Sequence, residues 1–137
     1  GWHHILIAWD SGTTANNKIY VDGADETPAT LTKRNAVTID YTLASWYVAS
    51  KATAKLRISE LFFAPNQWLD LTSSGNRLKF RSAGGKPVDL GATGTTPTGS
   101  APLIYFRGDY TAPNVNSGTG GNFDVTGTPA NSDSDKP

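Results

Sequence analysis

Carboxylates, histidines and aromatic rings are the side chains here that can do chemistry or hold a ligand. Cysteine is absent, which excludes disulfides, thiolate zinc sites and cysteine nucleophiles. His3 and His4 are adjacent in an apolar run that reads as a strand. Successive strand side chains point to opposite faces, so the two rings cannot chelate one metal. They read as packed or hydrogen-bonded strand histidines, and neither is left for a Ser-His-Asp arrangement.

Glycoside hydrolysis needs two carboxylates flanking the scissile bond. On a strand they would stand at i and i+2 or i+4, on one face. Glu60 is the sole acid of its strand, Asp22 has no acidic residue two positions away, and Asp25-Glu26 are adjacent in a loop. The chain therefore reads as no enzyme. Calcium needs six or more oxygens, with several carboxylates among them. Asp10, Asp22, Asp25 and Glu26 fall near one end of the first hairpin, but their spacing matches no calcium loop, so they read as solvated loop acids and no cofactor is assigned. Trp46, Tyr47, Trp68, Tyr105 and Tyr110 are candidates for an aromatic platform under sugar rings. Such rings also serve cores and interfaces, which is the favoured reading in a chain without methionine. Trp46, Tyr47 and Trp68 are kept as candidate glycan- or partner-contact residues. Arg107-Gly108-Asp109 spells an integrin-binding tripeptide, and Gly108 reads as a turn after a strand.

At 137 residues there is one domain's length and enough chain for a core. The 12 basic and 12 acidic residues cancel, and no basic cluster is longer than Lys33-Arg34. That argues against nucleic acid, and against an anionic membrane surface, as the main partner. No apolar run approaches the roughly 20 residues of a membrane span.

The elements that must position these residues begin with Gly1 to Gly23. Two apolar runs, Trp2–Asp10 and Lys18–Asp22, flank a polar gap and predict a hairpin. Ile5, Ile7 and Trp9 share one face of the first strand, and Trp2, Leu6 and Ala8 the other. A strand apolar on both faces lies inside a sheet covered on each side. On the second strand Ile19 and Val21 face opposite to Tyr20 and Asp22. Residues 24–36 read as a surface loop. Strands are predicted over 37–41, 45–49 and 55–64, the last stopped by Pro65. A short helix is predicted over 73–81, with Thr72 as its N-cap and Gly84-Gly85 as its stop. Leu103–Phe106 reads as a buried strand and Phe123–Thr126 as a short terminal one. Three units follow: residues 1–65, a loop-rich extension over 66–126, and a flexible tail over 127–137.

Trp2-His3-His4-Ile5 through Trp9-Asp10, with Ile19-Tyr20-Val21-Asp22-Gly23, resembles the central hairpin of laminin-G and pentraxin-like domains. These belong to the concanavalin A-like lectin and glucanase superfamily. The resemblance implies an all-β, antiparallel jelly-roll β-sandwich. Because that hairpin lies in mid-domain, residues 1–65 are expected to be the C-terminal portion of a sandwich whose N-terminal part precedes Gly1. The Glu-X-Asp-X-(X)-Glu pattern of the glucanase branch is absent. Leu69-Asp70-Leu71, Asn76-Arg77-Leu78-Lys79-Phe80, Gly85-Lys86-Pro87-Val88-Asp89-Leu90-Gly91, Ala101-Pro102-Leu103-Ile104-Tyr105 and Gly118-Thr119-Gly120-Gly121-Asn122-Phe123 resemble, in that order, a tail behind laminin-G-like domains of tailed-bacteriophage and prophage proteins.

What the resemblance implies is a non-enzymatic structural protein on the surface of a phage virion: a head decoration, a fibre or a tail-associated part. Its partners would be other capsid or tail proteins and further copies of itself. The segments 91–102 and 112–137 are expected to reach across neighbours. The alternative is a lectin-like adhesin module that binds a host-surface glycan.

Overall fold

The computed structural model describes residues 1–30 and 58–128. They fold into strands and long ordered loops with one helical turn of four residues. The described architecture is thus β-rich, in two small antiparallel sheets. The predicted strands over 37–41 and 45–49 lie outside the described residues.

The first sheet is built from β1 (Ile5–Ala8), β2 (Lys18–Val21) and β3 (Ala24–Asp25), in that spatial order. Ile5 stands opposite Val21, and Ile7 opposite Ile19. Asp10 organises the connection from β1 to β2. Its Oδ1 accepts from the Gly12 and Thr13 amides at 2.7 and 3.2 Å, and its Oδ2 from Asn16 Nδ2 at 2.7 Å. A 3-10 turn over Thr14–Asn16 completes the loop. From β2 to β3 the link is two residues, Asp22-Gly23, at φ 52° and 90°. Two consecutive left-handed residues give a hairpin turn whose twist matches the strands, and Asp-Gly suits it. That turn is why the predicted loop over 24–36 begins instead with a third strand.

The second sheet pairs β4 (Leu61–Phe63) with β5 (Ile104–Phe106), Phe62 opposite Tyr105. The predicted strand over 55–64 is shorter than expected, since 58–60 lie outside the ladder. Beyond Phe106 the paired strand turns away at Gly108, φ 73°. A Cβ on Gly108 would stand 1.8 Å from the Ser59 carbonyl oxygen, so two backbones touch where the ladder stops. The predicted terminal strand at 123–126 is also absent. Among the described residues the Phe123 amide donates to the Asn114 carbonyl at 2.8 Å in place of a ladder.

The helix α1 spans Ser74–Arg77, one turn rather than the predicted nine residues. Thr72 does not cap it. Its hydroxyl donates to Asp70 Oδ1 at 2.6 Å, and Ser73 takes the N-cap position without a side-chain bond. Overlapping turns carry the chain through Phe80 to a tight reversal over 82–86. There the Ser82 amide meets the Lys86 carbonyl at 2.8 Å.

Two buried clusters hold these pieces together. Ala8, Tyr20 and Leu71 form one, and Phe80, Leu90 and Tyr105 the other. Leu6 and Leu69 pack against both. Phe62 meets the rings of Phe80 and Tyr105 edge-on, at 5.4 and 6.3 Å between centroids. Asn116 stitches the loops to this core. Its Oδ1 accepts from the Tyr105 amide at 2.8 Å, and its Nδ2 donates to the Leu103 carbonyl at 3.0 Å.

Segment 91–102, expected to reach outward, folds back instead. Pro97 and Pro102 are fully buried. Lys79 Nζ donates to the Pro97 carbonyl at 3.0 Å, and Gln67 Nε2 to that of Ala101 at 2.8 Å. A proline carbonyl is as good an acceptor as any, and the missing N–H spares a buried donor.

Gly108 and Gly99 separate conformational strain from collision. Both have positive φ, but a Cβ on Gly99 meets nothing within 4 Å. Gly99→Ala should lower stability by about 1 kcal/mol, the conformational cost alone. Gly108→Ala should cost well over that, about 2–4 kcal/mol, because backbone must also move. Urea unfolding of the two variants measures the difference.

Candidate functional site

The strongest unassigned surface is one side of the first sheet. Ile5, Ile7 and Trp9 alternate along β1 and its end, and they are 62%, 59% and 48% exposed. Their cross-strand neighbours Val21 and Ile19 extend the same face. The opposite face carries Leu6, Ala8 and Tyr20 and is packed on Leu69 and Leu71. Of the cover expected on both sides of β1, the described residues supply only that on the Leu6 face. Apolar residues scattered singly on a surface are ordinary, but a row on one strand is a contact surface in form.

The two histidines occupy separate places, as their adjacency requires. His3 Nδ1 and Asp22 Oδ2 are 2.7 Å apart, and the His4 amide donates to Asp22 Oδ1 at 2.9 Å. Asp22 thus clamps the entry to β1 from the β2–β3 turn. Its carboxyl is held below the usual range, first by the His3 hydrogen bond and then by the His4 amide. Burial, then the Arg81 charge, lowers the pKa of His4.

The acids proposed as weak calcium candidates do not converge. The register puts Asp10 beyond the Ala8–Lys18 end of the hairpin and Asp22 beyond the Ile5–Val21 end. This corrects the placement of all four near one end. Asp25 is engaged by Thr27 and by Lys18, whose Nζ lies 3.0 Å from its Oδ2. Among the described residues no three histidines or acids are grouped to hold a metal ion.

Trp46 and Tyr47 lie outside the described residues. Trp68 is 49% exposed, beside a Gln67 fixed at both ends of its amide. Tyr105 is only 1% exposed and belongs to the core, so it is no part of a sugar platform. Tyr110 is exposed. The tripeptide Arg107-Gly108-Asp109 is a packed turn: Gly108 lies on Ser59, and Asp109 Oδ1 accepts from the Thr111 hydroxyl at 2.6 Å.

Two features escaped sequence reasoning. Asp89, from a distant loop, lies near enough to Glu60 to repel its charge. Desolvation first, and Asp89 second, push the Glu60 pKa up, with Arg107 opposing. The other is a cleft of about 180 Å³ between the hairpin and α1, with His4, Tyr20, Arg77 and Arg81 in its wall. Arg77 and Arg81 fall four apart, a spacing that places side chains together on a helical turn, but nothing in the pattern brings the hairpin to them.

No protein-family model, curated protein or solved structure matches this chain. The class that can be stated is accordingly a β-rich module, and its functional reading rests on its own residues.

Two titrations follow from the site. The Asp25 pKa is lowered to about 2, chiefly by the Thr27 hydrogen bonds and then by Lys18. Its stabilising effect should be fully present above the ordinary carboxylate range and be lost as pH falls through about 2. Thr27→Val should move the Asp25 carboxyl resonance toward ordinary titration in carbon-detected NMR. Glu60 has the opposite sign. Its ionised form is disfavoured in the fold, so stability falls as pH rises from the ordinary glutamate range through the raised value. Glu60→Gln should therefore be the more stable protein at neutral pH. The gap should close when denaturation is repeated below the ordinary glutamate pKa.

Proposed function

We propose that this chain is a non-enzymatic structural protein that acts by packing against other proteins on the surface of a tailed-phage virion. The sandwich is read as a concanavalin A-like jelly roll of laminin-G type, on the resemblance of Trp2–Gly23. The observation that carries the function is the exposed row Ile5, Ile7 and Trp9. Full burial of one such side chain contributes about 1.5–3 kcal/mol. These are already partly covered, so burying what is still exposed of the three contributes about 2.5–5 kcal/mol. Association costs an estimated 4–15 kcal/mol in lost freedom. The row alone does not hold two free molecules together. It suits an assembly in which each copy is held by several neighbours at once, as symmetric virion shells and fibres provide. Neighbouring virion proteins and further copies of this chain are the partners of that reading.

The half-exposed Trp68 favours one second reading, a lectin-like module that stacks a host glycan on that indole. Trp68→Ala should abolish any glycan-array signal if that reading holds, and should leave particle incorporation untouched if the structural one does.

Ile5→Ser with Ile7→Ser tests the structural reading. The variant should keep the circular dichroism and unfolding midpoint of the free protein, since both positions are exposed. Its incorporation into particles, counted by quantitative mass spectrometry, should drop about tenfold or more. Full incorporation of the folded variant would remove the row from the assembly surface.

A further inference from the structure

Arg81 is held in an unusual setting. Its Nη1 lies 3.0 Å from where a Cβ on Gly23 would be, and its Nη2 2.8 Å from the equivalent point on Gly85. Both glycines are left-handed, at φ 90° and 84°, at the tips of two turns far apart in the sequence. The guanidinium is therefore seated between two glycine backbones, in a space that any side chain there would fill. Among the described residues it has no hydrogen-bond acceptor and no ion-pair partner, and its Nε is shielded from solvent with nothing to accept from it. Asp22 is the nearby acid: its charge and that of Arg81 act on each other, but its hydrogen bonds go to the His3 ring and the His4 amide and none to Arg81. A guanidinium carries five donors and matches oxyanion geometry, and one left without an acceptor away from water is costly.

Arg77 stands in the same cleft wall. One Nη is saturated by the carbonyls of Leu71 and Thr72, at 2.6 and 2.9 Å, and the guanidinium lies 4.6 Å from the centre of the Tyr20 ring. This pins the charge in place and leaves the rest of its fork uncommitted. Among the described residues no acid lines the cleft, and Asp22 at its edge is the carboxylate whose charge reaches His4 and Arg81. At about 180 Å³ it is smaller than the roughly 300–1,000 Å³ of pockets for drug-sized ligands. Two arginines against the single carboxylate of Asp22 at the edge, in a small volume, select a small, compact, negatively charged ligand.

We infer that the cleft between the first hairpin and α1 binds a small tetrahedral oxyanion of the phosphate or sulfate class, held by Arg81 and Arg77. The ion neutralises the pair and ties the β2–β3 turn to the 82–86 reversal through Arg81. This goes beyond the packing function and does not depend on it.

The test is a titration of the full chain with sodium phosphate, and separately with sodium sulfate, at ionic strength held constant with chloride. Nitrogen-resolved NMR of the arginine Nε–H groups reports directly on the site. Saturable shifts of the Arg81 Nε–H and of the Gly23 and Gly85 amides are expected, with little response to chloride. Arg81→Gln should weaken binding about tenfold or more, and Lys86→Gln, outside the cleft, should leave it unchanged. An anion beside Arg81 should also raise the His4 pKa, by offsetting the charge that now lowers it, with Asp22 acting in the same direction. Equal shifts with chloride, or unchanged affinity in Arg81→Gln, would overturn the assignment. Should Arg81→Gln not fold, an Arg81 Nε–H that stays put in the native chain overturns it equally.

Discussion

Tyr105 is the point on which the described structure depends. Its ring is buried against Phe80, Leu90 and Phe62, and its amide is bound by the side chain of Asn116. One residue thereby joins a strand, the turns after α1 and the glycine-rich loop after residue 110. Leu6 and Leu69 then connect this cluster to the one around Tyr20. Sheets of two and three short strands are marginal by themselves. Here each is stable because the other's segment supplies the surface it packs on.

That arrangement decides which face of β1 is left over. Because Leu6, Ala8 and Tyr20 are drawn toward Leu69 and Leu71, the strand period of two turns Ile5, Ile7 and Trp9 to the other side. The exposed apolar row is a consequence of how the core is closed, and its β-branched and aromatic composition is what a protein-facing strand uses. The same closure brings the β2–β3 turn over the segment that carries Arg77 and Arg81, which creates the cationic cleft. The exposed row and the cleft thus lie on opposite faces of one three-stranded sheet.

What could be read from the residues was whatever local chemistry decides. The hairpin Gly1–Gly23, the Leu103–Phe106 strand and the turn at Gly108 follow from β-branched runs and glycine. The separation of His3 from His4 follows from strand period alone. Asp22-Gly23 carried the signal for a third strand, but a two-residue turn is recognised only once both flanks are seen as strands. The helix was overestimated because Thr72 can bond Asp70 as readily as it can cap, and local competition of that kind leaves no trace in the pattern. Segment 91–102 resembled a free arm by composition. Its burial depends on Lys79 and Gln67, distant in sequence, reaching its carbonyls. The encounter of Asp89 with Glu60, and of Arg81 with Gly23 and Gly85, is tertiary, so no spacing rule reveals it.

The central claim is that the Ile5–Ile7–Trp9 row is the surface by which this chain packs into a larger assembly. An electron cryo-microscopy map of the intact particle, with the chain traced through β1, tests it most directly. The account predicts the row buried against neighbouring subunits in every copy, with side-chain density continuous across the contact. A map in which the row faces solvent, or is covered by its own chain alone, would contradict it.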